Sequence, residues 1–513
     1  MDRDCHILVF DIGTTGNKCT IFKPDGEKVC AHTVSYETVY PKPGWAQQNP
    51  EDYWNSVVVG TRALLEKSRI SPSQIAVIGL SGHMNGCIPV DNEGRVLFPN
   101  IIHSDCRSHT ECAELMKILD EKKFYYITGN RIDPHYTLPK VMWLKNNYPE
   151  IYSKTRYILN SKDYISFKLT GELGFTDFSD ASLTCMLNLR EGKWAEEMVS
   201  EAGIDVGKLP RLVPSSYIIG GLSFQAADLL GLKAGTPVAV GGGDGACATK
   251  GAGVVKKGQA YNYIGSSSWI STINDSPVLD DGERIFHFFD LDGVNYNVTG
   301  TVQSATIAYD WVLEKIGQYE VEKAGQRGEN VFEMIESLAR TSPEGSNGVF
   351  FLPYMMGERT PHWDENTKGG FIGLNLFHTK SDLFRSVYEG VAYALRNVLD
   401  VFEDNGLQIE ALTLLGGGAK SELWNKIMCN VYRKPVRIHR FPGEATSLGA
   451  AIAAGVGVGI YRGFEEAAEI IDYDRSYDPD PGAMETYKRY YRIYNMMYPQ
   501  LKPIYDEIAK LNV

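Results

Sequence analysis

The commonest nucleotide-binding signatures are missing from this chain of 513 residues. It contains no GxxxxGK[ST] phosphate loop, and no complete GxGxxG follows an apolar run, which excludes P-loop and dinucleotide-binding folds. Positive charge is also scarce, since 51 Lys and Arg stand against 64 Asp and Glu, for a net charge of −13. Without a basic run interleaved with aromatic residues, nucleic acid is not an expected partner.

Cysteine pairs and long apolar runs are missing as well. The nine cysteines are an odd number and include no CxxC spacing, so we expect reduced, mostly buried thiols and a cytoplasmic location. The apolar run in MDRDCHILVF is too short for a signal peptide or a membrane span, and no membrane partner is expected. With 43% hydrophobic residues over its length, the chain should form two or more globular domains.

One carboxylate, Asp244, stands in the glycine-rich stretch 241–253, directly after the apolar run TPVAV. The run predicts a buried strand, and the glycines let a backbone or a ligand approach closely. An Asp at such a strand end is accessible to a substrate, which predicts a catalytic base. The alternative is a glycine-rich turn whose Asp caps the following helix.

A hairpin is predicted for residues 7–22, where Asp11 is followed by a turn that carries Gly13, Thr14 and Thr15. The hydroxyls and backbone N–H groups of such a turn can hold phosphate oxygens. Asp11, at the strand end, is placed to hold a magnesium ion through water. A plain hairpin with glycine at positive φ is the alternative.

The same hairpin recurs half a chain later. Residues 264–273, IGSSSWISTI, align without a gap on residues 12–21, IGTTGNKCTI. Two hydroxyl-rich tips predict a duplicated domain whose tips face each other across a cleft, where a triphosphate can bind. Chance similarity between two hairpins is the alternative.

Other strand ends also carry candidate ligands. The apolar run 75–82 ends at His83, Met84 and Asn85, and ligands of α/β sheets bind at strand ends. Asp105 and Arg107 form an Asp-x-Arg pair, which is either a structural ion pair or a ligand clamp.

A triple glycine links a buried strand to a helix that begins near Ser421. Such a junction lets a flat ring or a ribose lie close to the backbone. The small-residue helix at 446–460 predicts close packing or a hinge. Arg359 stands in a polar, aromatic loop that is either a ligand-binding segment or an ordered surface loop.

Five motifs agree in order and spacing with a known family: DIGTTG, GGGD, FLPYMMGERTPHWD, GLNLFHTKSDLFRSVYEG and LLGGGAKSELWNKI. They resemble the FGGY carbohydrate kinases, and within them the xylulokinase and gluconokinase branch, from residue 7 to about residue 460. The resemblance implies an α/β, actin-like ATPase fold with ribonuclease H-like topology. Two duplicated domains, 1–255 for the sugar and 256–513 for the nucleotide, would then flank a catalytic cleft.

The resemblance also implies an activity, which is ATP-dependent phosphorylation of a primary hydroxyl of a small open-chain carbohydrate. A pentulose such as D-xylulose is the first choice. ATP and Mg²⁺ are the implied cofactors, and a homodimer is plausible. The matching motifs assign Asp244 as catalytic base, Asp11 with Asp244 as metal site, Gly13, Thr14, Thr15, Gly265, Ser266 and Ser267 to the phosphates, Gly417, Gly418, Ala419 and Asn425 to the adenosine, and His83, Met84, Asn85, Asp105 and Asp244 to the sugar.

Three departures from the family pattern leave the sugar open. Xylulokinases have Gln before a Met-His pair where this chain has His83-Met84-Asn85, and usually Trp at the position of His103. Many members have Gln where this chain has Gly245, whose missing side chain predicts room for a longer or differently branched sugar. D-gluconate, another ketose or a polyol are therefore alternatives.

Two rival functions remain on the same fold. An actin-like or chaperone-like ATPase would use the hairpins for conformational work, but the stretch after residue 460 is too short for a substrate-binding domain of its own. An inactive sugar sensor is disfavoured by the presence of both Asp11 and Asp244.

Overall fold

The computed structural model describes residues 5–511, and its strands form two seven-stranded sheets with five small two-stranded ones. The strands are β1 (His6–Ile12), β2 (Gly16–Phe22), β3 (Lys28–Ser35), β4 (Gln47–Gln48), β5 (Ile75–Gly82), β6 (Ile88–Val90), β7 (Asn100–Ile101), β8 (Tyr157–Leu159), β9 (Phe175–Asp177), β10 (Leu187–Asn188), β11 (Lys193–Trp194), β12 (Arg211–Val213), β13 (Ile218–Gly221), β14 (Pro237–Ala239), β15 (Gly242–Gly243), β16 (Gln259–Ile264), β17 (Ser268–Asn274), β18 (Phe286–Phe289), β19 (Tyr296–Val302), β20 (Phe350–Leu352), β21 (Gly370–Ile372), β22 (Ala411–Leu415), β23 (Val436–His439) and β24 (Tyr473–Tyr477).

Helices cover the faces of these sheets. They are α1 (Pro50–Ser68), α2 (His109–Ile118), α3 (Glu121–Thr128), α4 (Thr137–Asn147), α5 (Pro149–Lys154), α6 (Ser161–Thr170), α7 (Phe178–Ser182), α8 (Glu196–Glu201), α9 (Phe224–Leu230), α10 (Asp244–Gly251), α11 (Thr306–Lys315), α12 (Gln318–Arg327), α13 (Val331–Ala339), α14 (Lys380–Asp404), α15 (Glu422–Tyr432), α16 (Ala445–Gly457), α17 (Phe464–Ala467) and α18 (Pro481–Ala509). Within residues 5–511, none combines the length and the apolar character needed to span a bilayer.

Five strands of the first sheet recur in the second with the same pairing. In the first, β2 runs antiparallel to both β1 and β3, β5 runs parallel to β1, and β14 runs parallel to β5. In the second, β17 runs antiparallel to both β16 and β19, β22 runs parallel to β16, and β23 runs parallel to β22. The ten-residue repeat therefore belongs to a duplicated α/β sheet, as predicted.

The sheets divide the chain between β15, which ends at Gly243, and β16, which begins at Gln259. The predicted domain limits of 1–255 and 256–513 remain a prediction, because α16 follows a strand of the second sheet but lies on the first. A Cβ on Gly79 of β5 would stand 2.7 Å from the carbonyl oxygen of Ala450 in α16.

Helices α10 and α16 cross in direct backbone contact. A Cβ on Gly251 would lie 1.7 Å from the Ala445 carbonyl oxygen, and one on Gly449 would lie 1.9 Å from that of Cys247. Both distances are far below van der Waals contact, so only glycine fits. The close packing predicted from the small residues is confirmed, and it joins the two halves behind the cleft.

Local sequence signals account for several helix ends. Asn49 caps α1 by accepting a hydrogen bond from the Glu51 N–H at 3.2 Å, and Pro50 occupies the first turn. The last helix, α18, carries many charged and aromatic residues, and it is partly buried. Tyr487 is only 1% exposed and its hydroxyl lies 3.0 Å from Glu389 of α14, so one face of α18 covers the second core.

Candidate active site

Three neighbouring strands of the first sheet end together at one edge. Asp11 of β1 pairs in register with Ser81 of β5, and Gly243 of β15 pairs with Gly82 of the same strand. Asp11 and Asp244 therefore flank the carboxyl end of β5. Asp244 is the first residue of α10, so the carboxylate lies at a strand-to-helix junction, where ligands of α/β sheets bind.

Both carboxyls have a raised pKa, and the charge of Asp11 contributes to the shift of Asp244. Burial, and then the negative charge of Asp11, raise the pKa of Asp244 to about 7, although the Gly245 N–H donates to Asp244 Oδ1 at 2.8 Å. Burial also raises the pKa of Asp11, against the opposing effects of Lys18 and of a Ser447 hydroxyl at 3.4 Å. A carboxyl with a pKa near neutrality suits a general base.

His83 and Asn85 follow β5 with unused hydrogen-bonding atoms. His83 is 1% exposed, and neither ring nitrogen has a partner within the described chain. Burial and the charge of Lys140 lower its pKa to about 4, so the ring is neutral. Asn85 adopts a left-handed conformation with φ of 64°, and its buried Oδ1 also lacks a partner among residues 5–511. Such atoms are available to sugar hydroxyls.

His103 extends this group of unpaired rings. Its ring centroid lies 5.9 Å from that of His83, and its Nδ1 is buried without a hydrogen bond in the described part of the protein. Burial and the neighbouring His83 lower its pKa to about 3. The residue that replaces the family's Trp is thus a neutral polar ring close to the predicted sugar ligands.

The room expected beside Gly245 is occupied, and that expectation was wrong. A Cβ on Gly245 would lie 3.1 Å from Phe288 Cζ, and one on Gly243 would lie 2.6 Å from Met84 Sδ. Phe288 comes from β18, in the second half of the sequence. No sequence pattern indicates this contact, because Phe288 is distant along the chain.

Asp105 is held by its neighbour. Both carboxylate oxygens accept from Arg107, with Nη2–Oδ2 at 2.8 Å and Nε–Oδ1 at 3.0 Å, and Oδ2 also accepts from the Ala46 N–H at 2.5 Å. The Arg107 guanidinium lies between Trp45 and Trp143. The structural ion pair is therefore present, and the sugar contact of Asp105 remains a prediction.

The two hairpin tips expose matching backbone donors. The Gly13 N–H donates to Gly16 O at 3.0 Å, and the Gly265 N–H donates to Ser267 O at 3.0 Å. Within residues 5–511, the next two N–H groups of each tip, those of Thr14 and Thr15 and of Ser266 and Ser267, make no backbone hydrogen bond. Four amide donors thus remain for phosphate oxygens.

The segment just before α16, which contains Pro442 and Glu444, links the regions of the two hairpin tips. Glu444 lies 3.7 Å from Lys18 of the first hairpin. Next to it, the Pro442 carbonyl accepts from the Gly416 N–H at 3.2 Å, and a Cβ on Gly416 would stand 2.5 Å from the Ile264 carbonyl oxygen at the second hairpin. The glycine junction therefore connects both tips.

Tyr263 is a cleft residue that sequence reasoning missed. Burial, and then the charges of Asp11 and Asp244, raise its pKa, which places this second-sheet side chain near both carboxylates. It stacks on Trp269 with ring centroids 4.3 Å apart. The alternation of β16 could have suggested an inward ring, but not the residues that it faces.

A cavity of about 640 Å³ lies beyond the second tip. Its lining includes the predicted Gly417 and Gly418, and it also includes residues that the sequence did not indicate: Tyr309, Phe332, Glu333, Glu336 and Trp424. Ala419 and Asn425 lie behind the lining, since both are buried and Asn425 Nδ2 donates to the Ala419 carbonyl at 2.8 Å. Size and aromatic content suit a purine nucleoside.

Family models match both halves of the chain. The model described as the FGGY family of carbohydrate kinases, N-terminal domain, matches residues 6–251, and the corresponding C-terminal domain matches residues 260–458. The chain is 29% identical to the xylulose kinase of Bacillus subtilis, covering 97% of this chain and 98% of that one. It is 30% identical to the gluconokinase of the same organism, with 98% of each chain covered.

A solved structure has the same architecture. The ligand-bound xylulose kinase from Lactobacillus acidophilus superposes with a TM-score of 0.90 at 26% identity, covering 98% of this chain and 99% of that one. The similarity extends over both sheets and both hairpins. It confirms the expected α/β, actin-like fold with two duplicated parts around a cleft.

Proposed function

The chain belongs to the FGGY family of carbohydrate kinases, and from this premise we propose that it transfers the γ-phosphoryl group of ATP to a primary hydroxyl of D-xylulose. The observation that carries the proposal is the placement of Asp11 and Asp244 on either side of the end of β5, with a pKa of about 7 for Asp244. D-xylulose is the first choice because xylulose kinases are among the proteins that match this chain over nearly its full length.

Asp244 is the proposed general base. Phosphoryl transfer passes through a loose transition state, so catalysis depends on positioning and on neutralisation of charge more than on covalent participation. The sugar hydroxyl must still lose its proton as the bond to phosphorus forms. The Asp244 carboxylate accepts that proton, and its raised pKa brings its proton affinity close to the optimum for work at neutral pH.

Asp11 and Asp244 also suit the predicted Mg²⁺ site. Two carboxylates that repel each other in a desolvated cleft favour a divalent cation, and Mg²⁺ in kinases is usually held by one or two carboxylates together with substrate phosphates. Within the described chain, no group of three or more His, Cys, Asp or Glu forms a self-sufficient metal site. When bound, the ion would neutralise phosphate charge and screen Asp11 from Asp244.

The two hairpin tips are the proposed phosphate clamp. Within residues 5–511, the N–H groups of residues 14–15 and 266–267 make no backbone hydrogen bond, so they can donate to triphosphate oxygens from the two hairpins. The cavity beside Gly417 and Gly418 would take the adenosine, with Tyr309 and Phe332 as flat apolar contacts. Ala419 and Asn425 would shape that turn from behind.

The sugar is proposed to lie against His83, Met84 and Asn85. The two polar side chains have buried atoms without hydrogen-bond partners among residues 5–511. A hydroxylated substrate satisfies these atoms, whereas an analogue without the hydroxyl leaves them unpaired. Met84 and Phe288 supply apolar walls beside Asp244. Asp105 would contribute by fixing the loop on which His103 stands.

D-gluconate is the second candidate. The chain is 30% identical to a gluconokinase and 29% identical to a xylulose kinase, each over nearly its full length. In addition, Arg359 lies close enough to His103 for its charge to lower the pKa of that ring, and a cation at that distance would suit a substrate carboxylate.

The proposal also covers the domain organisation, the cellular location and the oligomeric state. Residues 1–255 and 256–513 are proposed as sugar and nucleotide domains, which close on substrate so that water does not take the place of the sugar. The nine cysteines are all unpaired thiols within residues 5–511, which fits the predicted cytosolic setting. A homodimer remains a prediction.

An ADP-release assay over a sugar panel tests the proposal. The panel contains D-xylulose, D-ribulose, L-xylulose, hexuloses, polyols and D-gluconate, each with ATP and Mg²⁺. We expect strong stimulation by D-xylulose and formation of a primary phosphate monoester, detected by phosphorus NMR. ADP release of equal rate without any sugar would instead support the chaperone-like ATPase, and stimulation by D-gluconate alone would replace the first candidate with the second.

A further inference from the structure

A thiol, an imidazole and a carboxylate lie in series beside the sugar site. Cys106 Sγ is 3.3 Å from His135 Nε2, and His135 Nδ1 is 2.5 Å from Asp133 Oδ1. The Asp133 carboxylate also accepts from the His135 backbone N–H at 2.9 Å. With Nδ1–H directed at Asp133, the Nε2 lone pair faces the thiol, so the Cys106 S–H donates to it.

The thiol is reachable from solvent. Of the nine cysteines, all of which lie within the described residues, only Cys106 and Cys5 are partly exposed. Burial, and then the negative charges of Asp133 and Asp105, raise the pKa of Cys106 against a smaller effect of Lys140 and Arg359, so the sulfur keeps its proton until a base removes it. Burial lowers the pKa of His135, so the ring is neutral and can accept that proton.

Arg359 lies close to this thiol, and two nearby histidines have buried ring nitrogens without partners within residues 5–511. Within residues 5–511, the Arg359 guanidinium makes no ion pair, and its side-chain contact is with the Trp363 ring at 5.7 Å. Its positive charge nevertheless acts on the pKa of Cys106, Asp133 and His103. Beyond His103 lies the fully buried His83, whose ring nitrogens are unpaired in the described chain. A cation and unpaired polar rings beside a thiol suit a small oxygen-rich reactant or product.

The geometry points to Cys106 as a nucleophilic site for small peroxides, with His135 as its base and Asp133 as the group that orients the base. The sulfur attacks one peroxide oxygen, so that an S–O bond forms while the O–O bond breaks. The thiol proton passes to His135 Nε2 and then to the leaving oxygen, which departs as water or an alcohol. The sulfur is oxidised by two electrons to a sulfenic acid, and the peroxide is reduced.

The modified thiol would be coupled to sugar binding through Lys140. Its Nζ donates to the carbonyl oxygens of His135 at 2.6 Å, Asn85 at 2.7 Å and Ile102 at 2.9 Å. A change at Cys106 and His135 therefore acts on the backbone of Asn85 and on the segment that carries His103. This second step, inhibition of sugar binding, rests on the proposed kinase function, whereas the reactivity of the thiol does not.

Trapping of sulfenic acid tests the reactivity. The intact protein is treated with hydrogen peroxide and a dimedone-type probe, and labelling of each cysteine is followed by peptide mass spectrometry. Cys106 is expected to label roughly tenfold or more faster than Cys5, and His135→Gln should slow this labelling by roughly 10². Equal labelling of Cys106 and Cys5, or an unchanged rate in His135→Gln at unchanged thermal stability, would overturn the proposal.

Sugar-dependent ADP release tests the coupling. Peroxide should inactivate the parent and Cys5→Ser at the same rate, while Cys106→Ser keeps its starting activity and resists inactivation. A thiol reductant should restore the parent. If Cys106→Ser loses activity as fast as the parent, oxidation acts elsewhere and the coupling is wrong, even where labelling of Cys106 succeeds. If the parent has no kinase activity at all, the proposed function fails, and the labelling result still decides the reactivity.

Discussion

Asp11 and Asp244 stand on either side of the end of β5, and the negative charge of Asp11 raises the pKa of Asp244. The pairing follows from strand order, since β1 and β15 are both parallel neighbours of β5. One strand end therefore carries the proposed cation site and the other the proposed base, and the two functions are electrostatically coupled.

Replacing Asp244 with Asn removes the proposed base and keeps its shape. We expect turnover to fall by roughly 10²–10⁴, the usual contribution of a general base, while ATP still binds. Steady-state kinetics and calorimetry measure the two effects. As a control, Asp292→Asn changes a carboxylate that lies 3.6 Å from Lys250, in the last turn of α10, and should leave the turnover near that of the parent. Near-normal turnover of Asp244→Asn would remove this residue from the mechanism.

The pH dependence of activity should follow Asp244. Because only the carboxylate form accepts a proton, kcat/KM at saturating ATP should rise with pH through a midpoint at or below about 7, and bound Mg²⁺ should move the midpoint downward. Asp11→Asn removes a like charge, so the midpoint for ionisation of Asp244 in the metal-free protein, measured by NMR titration, should be lower than in the parent. A midpoint that moves upward in this variant would contradict the coupling.

The same carboxyl should destabilise the fold as pH rises. Its folded-state pKa is about 7, above the usual value near 3.9, so the folded state binds more protons and the free energy of unfolding falls between these two pH values. Asp244→Asn lacks this ionisation. Its Tm should therefore exceed that of the parent at pH 8, with a smaller difference at pH 4, as measured by thermal unfolding. Equal differences at both pH values would show that the ionisation has no part in stability.

Enlarging a hairpin tip should weaken ATP binding selectively. A Cβ on Gly265 would lie 2.7 Å from Tyr263 Cε1, and one on Gly13 would lie 3.2 Å from Gly16 O. Gly13→Val and Gly265→Val should each raise the Kd for ATP in calorimetry and leave sugar binding without nucleotide nearly unchanged. Gly325→Ala, in open space on α12, is the matched control. Loss of sugar binding with intact ATP binding in either Val variant would refute the shared phosphate clamp.

Asn85 should be tested by replacement with Gly. Its φ of 64° is comfortable for glycine and strained for alanine, so Asn85→Gly removes the amide and preserves the backbone. Loss of one hydroxyl contact, on the order of 1 kcal/mol or more, should raise KM for the true substrate several-fold and change the order of preference in the sugar panel. An unchanged KM and order would place the sugar elsewhere in the cleft.

Local patterns and one internal repeat were enough to predict much of this protein. The runs before Asp11, His83 and Asp244 are strands, and the repeated hairpins belong to duplicated sheets. Each of these features depends on residues adjacent in sequence, or on strand ends that parallel pairing brings together. Family motifs added the roles of individual residues, which periodicity does not supply.

Tertiary structure alone decided which side chains meet in the cleft. Phe288 covers Gly245, Tyr263 approaches both carboxylates, and Asn425 supports the glycine turn from behind. The sequence left Asp105 as either an ion pair or a ligand clamp, and the fold shows the ion pair. The contact between Cys106 and His135 joins residues 29 positions apart. Such contacts depend on how layers pack and which groups lose water. Pairings between distant segments have no periodic signature in the amino-acid sequence, so they become visible only once the chain is folded.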